Sequence, residues 1–473
     1  MFSIRLLRWL SIWQAKEYRF DRFKAFINSS EGHTEITHFI NLAWSKTTLK
    51  RPARTPKLYL ITLTTILLSL STGIILRAFH TSLNFYASIL LYFLIYLLIP
   101  LWIIIATVPY SLITFYLTRR YQLVAQALLQ THQPTIIGIT GSFGKTTTKI
   151  LLTKLLSAKY QVWMSPKSYN TSLSLPQAFN RTYRGQPFLV IEYAAYKLGE
   201  IHRLTQIFPP SLAVLTGITH QHLAIFGSIS NLLKAKSELP VALIPKAGLF
   251  YNDTDPNLIK IVRKFPHLTK HPLSRIHVTQ VKLDPQGHLS FTLKPEGVQI
   301  HTQLIGIHYL KNLLLAIDVA RQYKITAHQI KFALETFRPT PEFITTFITH
   351  HHDLVIVDDK TSNPAGFAAA IDLAAAIKAP HKTLITSGII DLGVQSDTIH
   401  SRLAQHIDQV FNLTVHTGDT GTSSLSGILG DKYLHTDDAR QIEIILTKLP
   451  TTRNLILIEG KIPEHINHLL RHI

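Results

Sequence analysis

The stretch Thr135–Lys149, TIIGITGSFGKTTTK, constrains this chain more than any other. Thr135–Thr140 is an apolar, β-branched run, which predicts a strand buried in a parallel sheet. A glycine turn follows, and Lys145, Thr146, Thr147 and Thr148 open a predicted helix. Phosphate chemistry needs this order. Gly141 and Gly144 let backbone N–H groups close on an anion, and the helix N-terminus adds partial positive charge. From such a turn Lys145 reaches nucleotide phosphates and the Thr146 hydroxyl binds Mg2+. The strict pattern G-x-x-x-x-G-K-[ST] is not met, because Ile139 stands where the first glycine belongs. What stands is T-G-S-F-G-K-T-T. It predicts contacts to the phosphates from Thr140, Gly141, Ser142, Phe143, Gly144, Lys145, Thr146 and Thr147.

A chain of 473 residues calls for two or three domains. Its charged fraction, 16%, is low against 46% apolar residues, and the apolar excess is local. Leu58–Leu76 carries no charge over 19 residues, and Phe85–Leu117 none over 33. Each is long enough to cross a bilayer at ~1.5 Å per residue. Residues 1–27 mix Phe2, Leu6, Trp9, Leu10 and Trp13 with Arg5, Arg8, Lys16, Arg19 and Arg22, which predicts a basic amphipathic helix lying on a membrane. Lys46, Lys50, Arg51, Arg54 and Lys57 precede the first run, and Arg119 and Arg120 follow the second. The positive-inside rule places both flanks in the cytoplasm, which requires an even number of spans, taken as two. The expected location is therefore the inner cell membrane, multi-pass, with the soluble part cytoplasmic. Net charge is +20, and residues 1–133 supply half of it with 14 Lys/Arg against 4 Asp/Glu. Because that excess flanks apolar spans, it points to membrane rather than nucleic acid. There is no cysteine, so thiol chemistry and disulfides are excluded.

From Pro134 onward strand-like and helix-like segments alternate, which predicts α/β architecture with mostly parallel sheets. Phe188–Ile191, Leu212–Thr216, Leu354–Val357, Thr383–Thr386 and Leu455–Ile458 read as strands, and Ile229–Leu239 and Tyr309–Tyr323 as helices. Arg338-Pro339-Thr340-Pro341 reads as a linker. The expected organisation is 1–56 as a basic N-terminal segment, 57–118 as two membrane helices, 119–338 as a central nucleotide-binding domain and 339–473 as a second α/β domain.

Several further segments stand in series. FLVIEYAAYKLGEI ends an apolar strand on Glu192, where sheets of this kind gather ligands. LTGITHQHLAIFGSISNLLKAKSEL holds His222 and Lys236; GIHYLKN holds His308 and Asn312; VDDKTSNP and SGIIDLG follow. In order and spacing, over residues 134–473, the series resembles the Mur ligase family. Within it the resemblance is to the branch that adds D-alanyl-D-alanine to a muramoyl tripeptide. The family pairs a central ATPase domain with a C-terminal Rossmann-like domain, and activates a carboxylate as an acyl phosphate that an amine then displaces.

The resemblance implies ATP and Mg2+ as cofactors. It assigns the phosphates to Lys145 and Thr146, the metal to Thr146, Glu192, His222 and Lys236 as a carbamate, and catalysis to Lys145, His222 and Lys236. It places Asn252, His308 and Asn312 beside the nucleotide, and Asp358, Asp359, Asn363 and Asp391 at the substrate of the C-terminal domain. Partners are a muropeptide-like peptide carboxylate and an amine, D-Ala-D-Ala or an amino acid. This chain departs from the pattern at several positions. The family's Asn in a T-N-I stretch is Gly217; its D-D-S-Y-N-A-N-P is one residue shorter here, as DDKTSNP; and a C-terminal Lys falls on Glu459. The family's UDP-sugar domain has no counterpart here, and membrane segments stand in its place. Two alternatives follow: a membrane-associated polyglutamate-type synthetase of the same superfamily, and an ATP-binding membrane scaffold without catalysis.

Overall fold

The computed structural model describes residues 2–15, 18, 23, 26–27, 55–79, 98–167, 169–195, 197–219, 226, 228–359, 363–389, 392, 396–448 and 453–470. The chain forms two compact units, 1–120 and 121–473.

In the first unit, helices Pro56–Phe79 and Ile99–His132 are long and apolar enough to cross a membrane. Leu63, Leu67, Leu70 and Ile74 on the first are exposed, as are Leu112 and Phe115 on the second. The hydroxyls among them turn inward. Thr62, Thr65 and Thr72 donate to the carbonyls of Leu58, Ile61 and Leu68, four residues back, which satisfies them without water. The second helix carries Pro109 within it and runs unbroken through residues 119–132. The N-terminal helix, Phe2–Ala15, departs from expectation. Its Leu6, Leu10 and Trp13 are not left for a bilayer surface. They are buried in one cluster with Leu58, Ile61, Ile99 and Ile103, which removes the same apolar area from water.

The second unit begins with a six-stranded parallel sheet: β1 (Thr135–Thr140), β2 (Val162–Met164), β3 (Phe188–Glu192), β4 (Leu212–Leu215), β5 (Gly248–Tyr251) and β6 (Thr269–Pro272), ordered β2-β3-β1-β4-β5-β6. Ile137, Ile139, Val190 and Val214 pack on one face, and Ile136, Leu189, Ile191, Ala213 and Leu215 on the other. Burial on both faces explains why these strands read as continuous apolar runs, each large aliphatic contributing about 1.5–3 kcal/mol. A three-stranded antiparallel sheet follows, β7 (Val278–Leu283), β8 (His288–Leu293) and β9 (Val298–Ile305). The expectation of mostly parallel sheets did not include it.

The second large sheet comprises β10 (Thr345–Ile348), β11 (Leu354–Asp358), β12 (Lys382–Thr386), β13 (Leu413–His416), β14 (Tyr433–His435) and β15 (Leu455–Glu459), ordered β10-β11-β15-β12-β13-β14. Only β10 runs antiparallel. Ile356, Leu384 and Leu457 face one core; Val355, Val357, Ile385, Ile456 and Ile458 face the other. Between the large sheets, residues 338–341 are held at both ends by aromatic contacts. The Phe343 ring lies 5.4 Å from Phe337 and 5.3 Å from Tyr309, and Ile344 N–H donates to the Tyr309 hydroxyl at 2.8 Å.

Candidate functional site

β1 lies at the centre of its sheet, between β3 and β4, so the turn after it opens into the crevice where the chain changes direction across the sheet. Gly141 and Gly144 take φ of +156° and +73°. Both are also pressed by neighbours: a Cβ on Gly141 would meet Thr216 Oγ1, and one on Gly144 would meet Asn312 Oδ1. Only glycine fits either place. Ser142 N–H donates to Gly217 O at 2.7 Å, and Thr216 donates to Phe143 O, so the end of β4 holds the turn in shape. The helix Lys145–Leu156 starts at Gly144 with no side-chain cap and no acid in its first turn. Its first N–H groups are thus left to an anion. The Ser142 hydroxyl is buried without a hydrogen-bond partner among the described residues. A nucleotide's phosphates fit these features.

Glu192, at the end of β3 and 3% exposed, is the electrostatic centre. It accepts from Thr146 Oγ1 at 2.8 Å and lies 3.5 Å from Lys149 Nζ. Lys145 donates to Ser142 O at 3.2 Å. Burial pushes the Lys145 and Lys149 ammonium groups down from their ordinary range, while Glu192 opposes the shift. Lys236, on the helix Ile229–Val241 that Ser228 caps, is 3% exposed. Burial, then Lys145, pushes it down to about 7 against the pull of Glu192. Three lysines therefore share one buried carboxylate. Lys149 was not among the residues singled out in the sequence. It stands one turn after Lys145, on the same side of the helix, and it is nearly sealed from solvent. Thr146 Oγ1 and Glu192 Oε2 are adjacent oxygen donors of the kind a hard cation takes. His222 lies outside the described residues, and among these no group of three acids, histidines or cysteines could hold a metal.

Asn312 lies against the turn through Gly144. Asn252, at the end of β5, uses its side chain to accept from Thr254, whose hydroxyl in turn accepts from Lys311. His308 packs on Tyr309 at 4.1 Å and is held down to about 4 by burial. Asn252 and His308 thus sit on elements neighbouring Asn312, and no contact of theirs with the glycine turn is found among the described residues. Thr140, buried, donates to Tyr193 O at 2.7 Å, and Thr147 is half-buried in the first turn of the helix.

At the second sheet, Asp358, Glu459, Thr386, His416 and His435 stand in register at the carboxyl ends of β11, β15, β12, β13 and β14. Two residues beyond Ile356, Leu457 and Leu384, the first three share their face. Asp358 is hydrogen-bonded to Glu459, and burial with nearby Asp359 pushes it up to about 6. His416 is buried, with Nδ1 2.9 Å from Tyr433 Oη, and burial and His435 hold it down to about 4. Asn363 caps the helix Pro364–Ala376 by accepting from Gly366 N–H at 3.0 Å. Asp391 lies outside the described residues.

Residues 139–320 match the Mur ligase middle domain. Among curated proteins, the UDP-N-acetylmuramoyl-tripeptide–D-alanyl-D-alanine ligase of Mycobacterium bovis is 29% identical over 301 residues, covering 62% of this chain and 58% of its own length. The chain thus spans little more than half of that relative. Among solved structures, the MurF ligase of Thermotoga maritima in complex with ADP aligns with a TM-score of 0.66 at 22% identity, over 75% of this chain and 83% of that one. Folylpolyglutamate synthase of Mycobacterium tuberculosis, complexed with ADP and AMPPCP, aligns with a TM-score of 0.57 at 14% identity, over 72% and 92%. These structures share the fold.

Proposed function

From a chain that carries a Mur ligase middle domain over residues 139–320, we propose an ATP-dependent amide ligase that acts at the membrane on a cell-wall peptide precursor. The observation that carries this reading is the uncapped glycine turn with Lys145, Lys149 and Lys236 around Glu192. ATP and Mg2+, when bound, supply the phosphoryl group and neutralise the charge that develops on it.

The chain's own residues do the rest. The N–H groups after Gly144 and the Lys145 ammonium hold the phosphate oxygens. Thr146 and Glu192 present oxygens to the metal, with His222 as a further ligand. Asn252, His308 and Asn312 border the nucleotide. Lys236, near half neutral at pH 7, has a lone pair for CO2. The amine nitrogen forms the N–C bond and releases one proton, leaving a carbamate anion. That change would turn a cation into an oxygen donor of the kind a hard metal ion takes. Like charges ~4 Å apart cost about 4 kcal/mol at an effective dielectric near 20, so the conversion removes a substantial repulsion. Asp358 and Asp359 at the second sheet's carboxyl ends face the amine partner, with Asn363 and Asp391 beside them. The acyl acceptor is a muropeptide-like carboxylate, and the donor D-Ala-D-Ala or an amino acid.

Residues 1–56, 57–118, 119–338 and 339–473 are read as membrane-proximal segment, two spans, nucleotide domain and amine domain, with the catalytic part in the cytoplasm. A reporter fused after Ile473 should be cytoplasmic; an external C-terminus would overturn that topology. The activity is tested by ATP-dependent phosphate release from detergent-solubilised protein, with a muramoyl tripeptide and D-Ala-D-Ala, single amino acids or a folate with glutamate. Release that needs the tripeptide and one amine supports the reading. Release that needs folate and glutamate replaces it with the polyglutamate-type reaction, and ATP binding without release on any pair leaves a scaffold.

A further inference from the structure

The first sheet carries a second concavity, at the amino-terminal ends of β5 and β6 rather than at the carboxyl end that holds the glycine turn. It is a cleft of about 470 Å3 lined in part by Lys246, His271, Arg275, Asp318, Arg321 and Gln322. Lys246 precedes β5, His271 lies on β6, and Asp318, Arg321 and Gln322 close the helix Leu310–Gln322.

Two buried polar atoms of the cleft residues have no partner among the described residues. Asp318 is 4% exposed, its Oδ1 lies 3.6 Å from Arg275 Nε, and its Oδ2 accepts no hydrogen bond. Arg321 donates through Nη2 to Lys294 O and Glu296, while its Nε is buried and donates to nothing. One orphan acceptor and one orphan donor thus belong to the same cleft, and such groups are stabilised when a ligand satisfies them. Arg275 also donates to His271 Nδ1, which fixes that ring as neutral with its proton on Nε2. Gly248 keeps the floor open. A Cβ there would stand 3.0 Å from the Phe250 ring, 3.5 Å from Gln322 Oε1 and 3.7 Å from His271 Nε2.

The charge of the lining names the ligand's class. Lys246, Arg275 and Arg321 stand against one acid of the lining, Asp318, and Glu296, which pairs with Arg321 from outside it. An anion gains from that excess, and guanidinium groups suit the paired oxygens of a carboxylate or phosphate. Asp318 Oδ2 calls for a donor on the same molecule. We propose that this cleft binds a small polyanion that also carries an N–H or O–H group, its anionic oxygens on Lys246, Arg275 and Arg321 and its donor on Asp318. The site is independent of the amide-ligase reading and stands whether or not that reading does.

The test is calorimetry on the full-length chain in detergent, with a non-hydrolysable ATP analogue saturating the glycine turn. Two probes distinguish the source of the anion: L-glutamate, with two carboxylates and an ammonium, and glycerol 3-phosphate, with one phosphate and two hydroxyls. At least one should bind with a Kd below about 1 mM, and Lys246→Glu should weaken it about tenfold or more. Arg275→Gln, at a side chain 47% exposed, repeats the comparison if the first variant melts early. Failure of both probes to bind below about 10 mM overturns the proposal. So does binding that is unchanged in both variants.

Discussion

The carboxyl ends of the two large sheets are built with opposite charge. At the first, Lys145, Lys149 and Lys236 surround one buried carboxylate. At the second, two carboxyls adjoin, and the row runs on through Thr386 to His416, an imidazole kept neutral by burial and by His435 beside it. Parallel strands deliver side chains to both edges in the same way, so the fold does not set the difference. The residues at the strand ends do. A cationic edge favours a polyphosphate and an acidic one an ammonium, and burial opposes the ordinary charge state of Lys145, Lys149 and Lys236 at the first and of Asp358 at the second.

The largest break in this contrast comes from Lys145→Ala. Nucleotide turnover should fall about 100-fold or more, the usual cost of losing one pre-placed electrostatic contact. Turnover within about threefold of the parent would remove the cationic end from the chemistry.

Lys236→Ala should cost less, and activity should return in part with added formate or acetate, which refill an anionic place. In the parent, activity should rise as pH passes through about 7, because the neutral amine replaces the ammonium there. A variant as active as the parent, or a flat profile between pH 6 and 8, would make Lys236 an ordinary buried lysine.

Gly217 sharpens the comparison within the first end. A Cβ there would press into the Phe143 ring, which meets it at 2.3 Å. Gly217→Ala should lower ATP turnover about tenfold by displacing the glycine turn, in line with the cost of a misplaced catalytic group. Adding Phe143→Ser should restore most of it, since the ring is the obstacle. No recovery in the double variant would locate the damage elsewhere.

The smallest effect is on stability at the second end. Asp358, pushed up to about 6, binds its proton more tightly in the folded chain than in the unfolded one. The stability it contributes is full below the ordinary carboxylate range and is lost as pH rises through about 6. Asp358→Asn should therefore raise the apparent Tm by about 2 °C at pH 8 and by clearly less at pH 4.5. A parallel shift at both values would refute the proton-sharing pair.

The central strands of the two large sheets, β1, β3, β4, β11, β12 and β15, were legible because burial on both faces writes unbroken apolar runs; the outer β2, β5, β6, β10, β13 and β14 were not read. The ends of the central strands fell within a residue or so of the observed ones, as at Glu192 and Asp358. The antiparallel sheet was not read, although Val298–Ile305 alternates inward Ile300, Thr302 and Leu304 with outward neighbours. The other outer strand of that sheet, Val278–Leu283, is half-exposed and bulged against β8, which blurs the period. At the candidate site, Gly141, Gly144 and Lys145 could be read from local order alone. Lys149 could not, because only packing against β3 distinguishes it from a solvated helix lysine. His400 and His416 were not singled out in the sequence, yet both are fully buried. Phe143 and Gly217 are legible only together, 74 residues apart, since each explains the other through one van der Waals contact.

The clasp of Phe337, Phe343 and Tyr309 sets how the second large sheet can turn. Residues 338–341 include Pro339 and Pro341, whose rings stiffen a short segment. With Ile344 tied to the Tyr309 hydroxyl, that segment is no loose tether. It works as a short crank on a fixed bearing. Tyr309 immediately precedes the helix that carries Asn312 to the glycine turn, so the bearing is anchored beside the nucleotide end itself. A swing of the acidic edge would pivot beside Tyr309, since Ile344 immediately precedes β10.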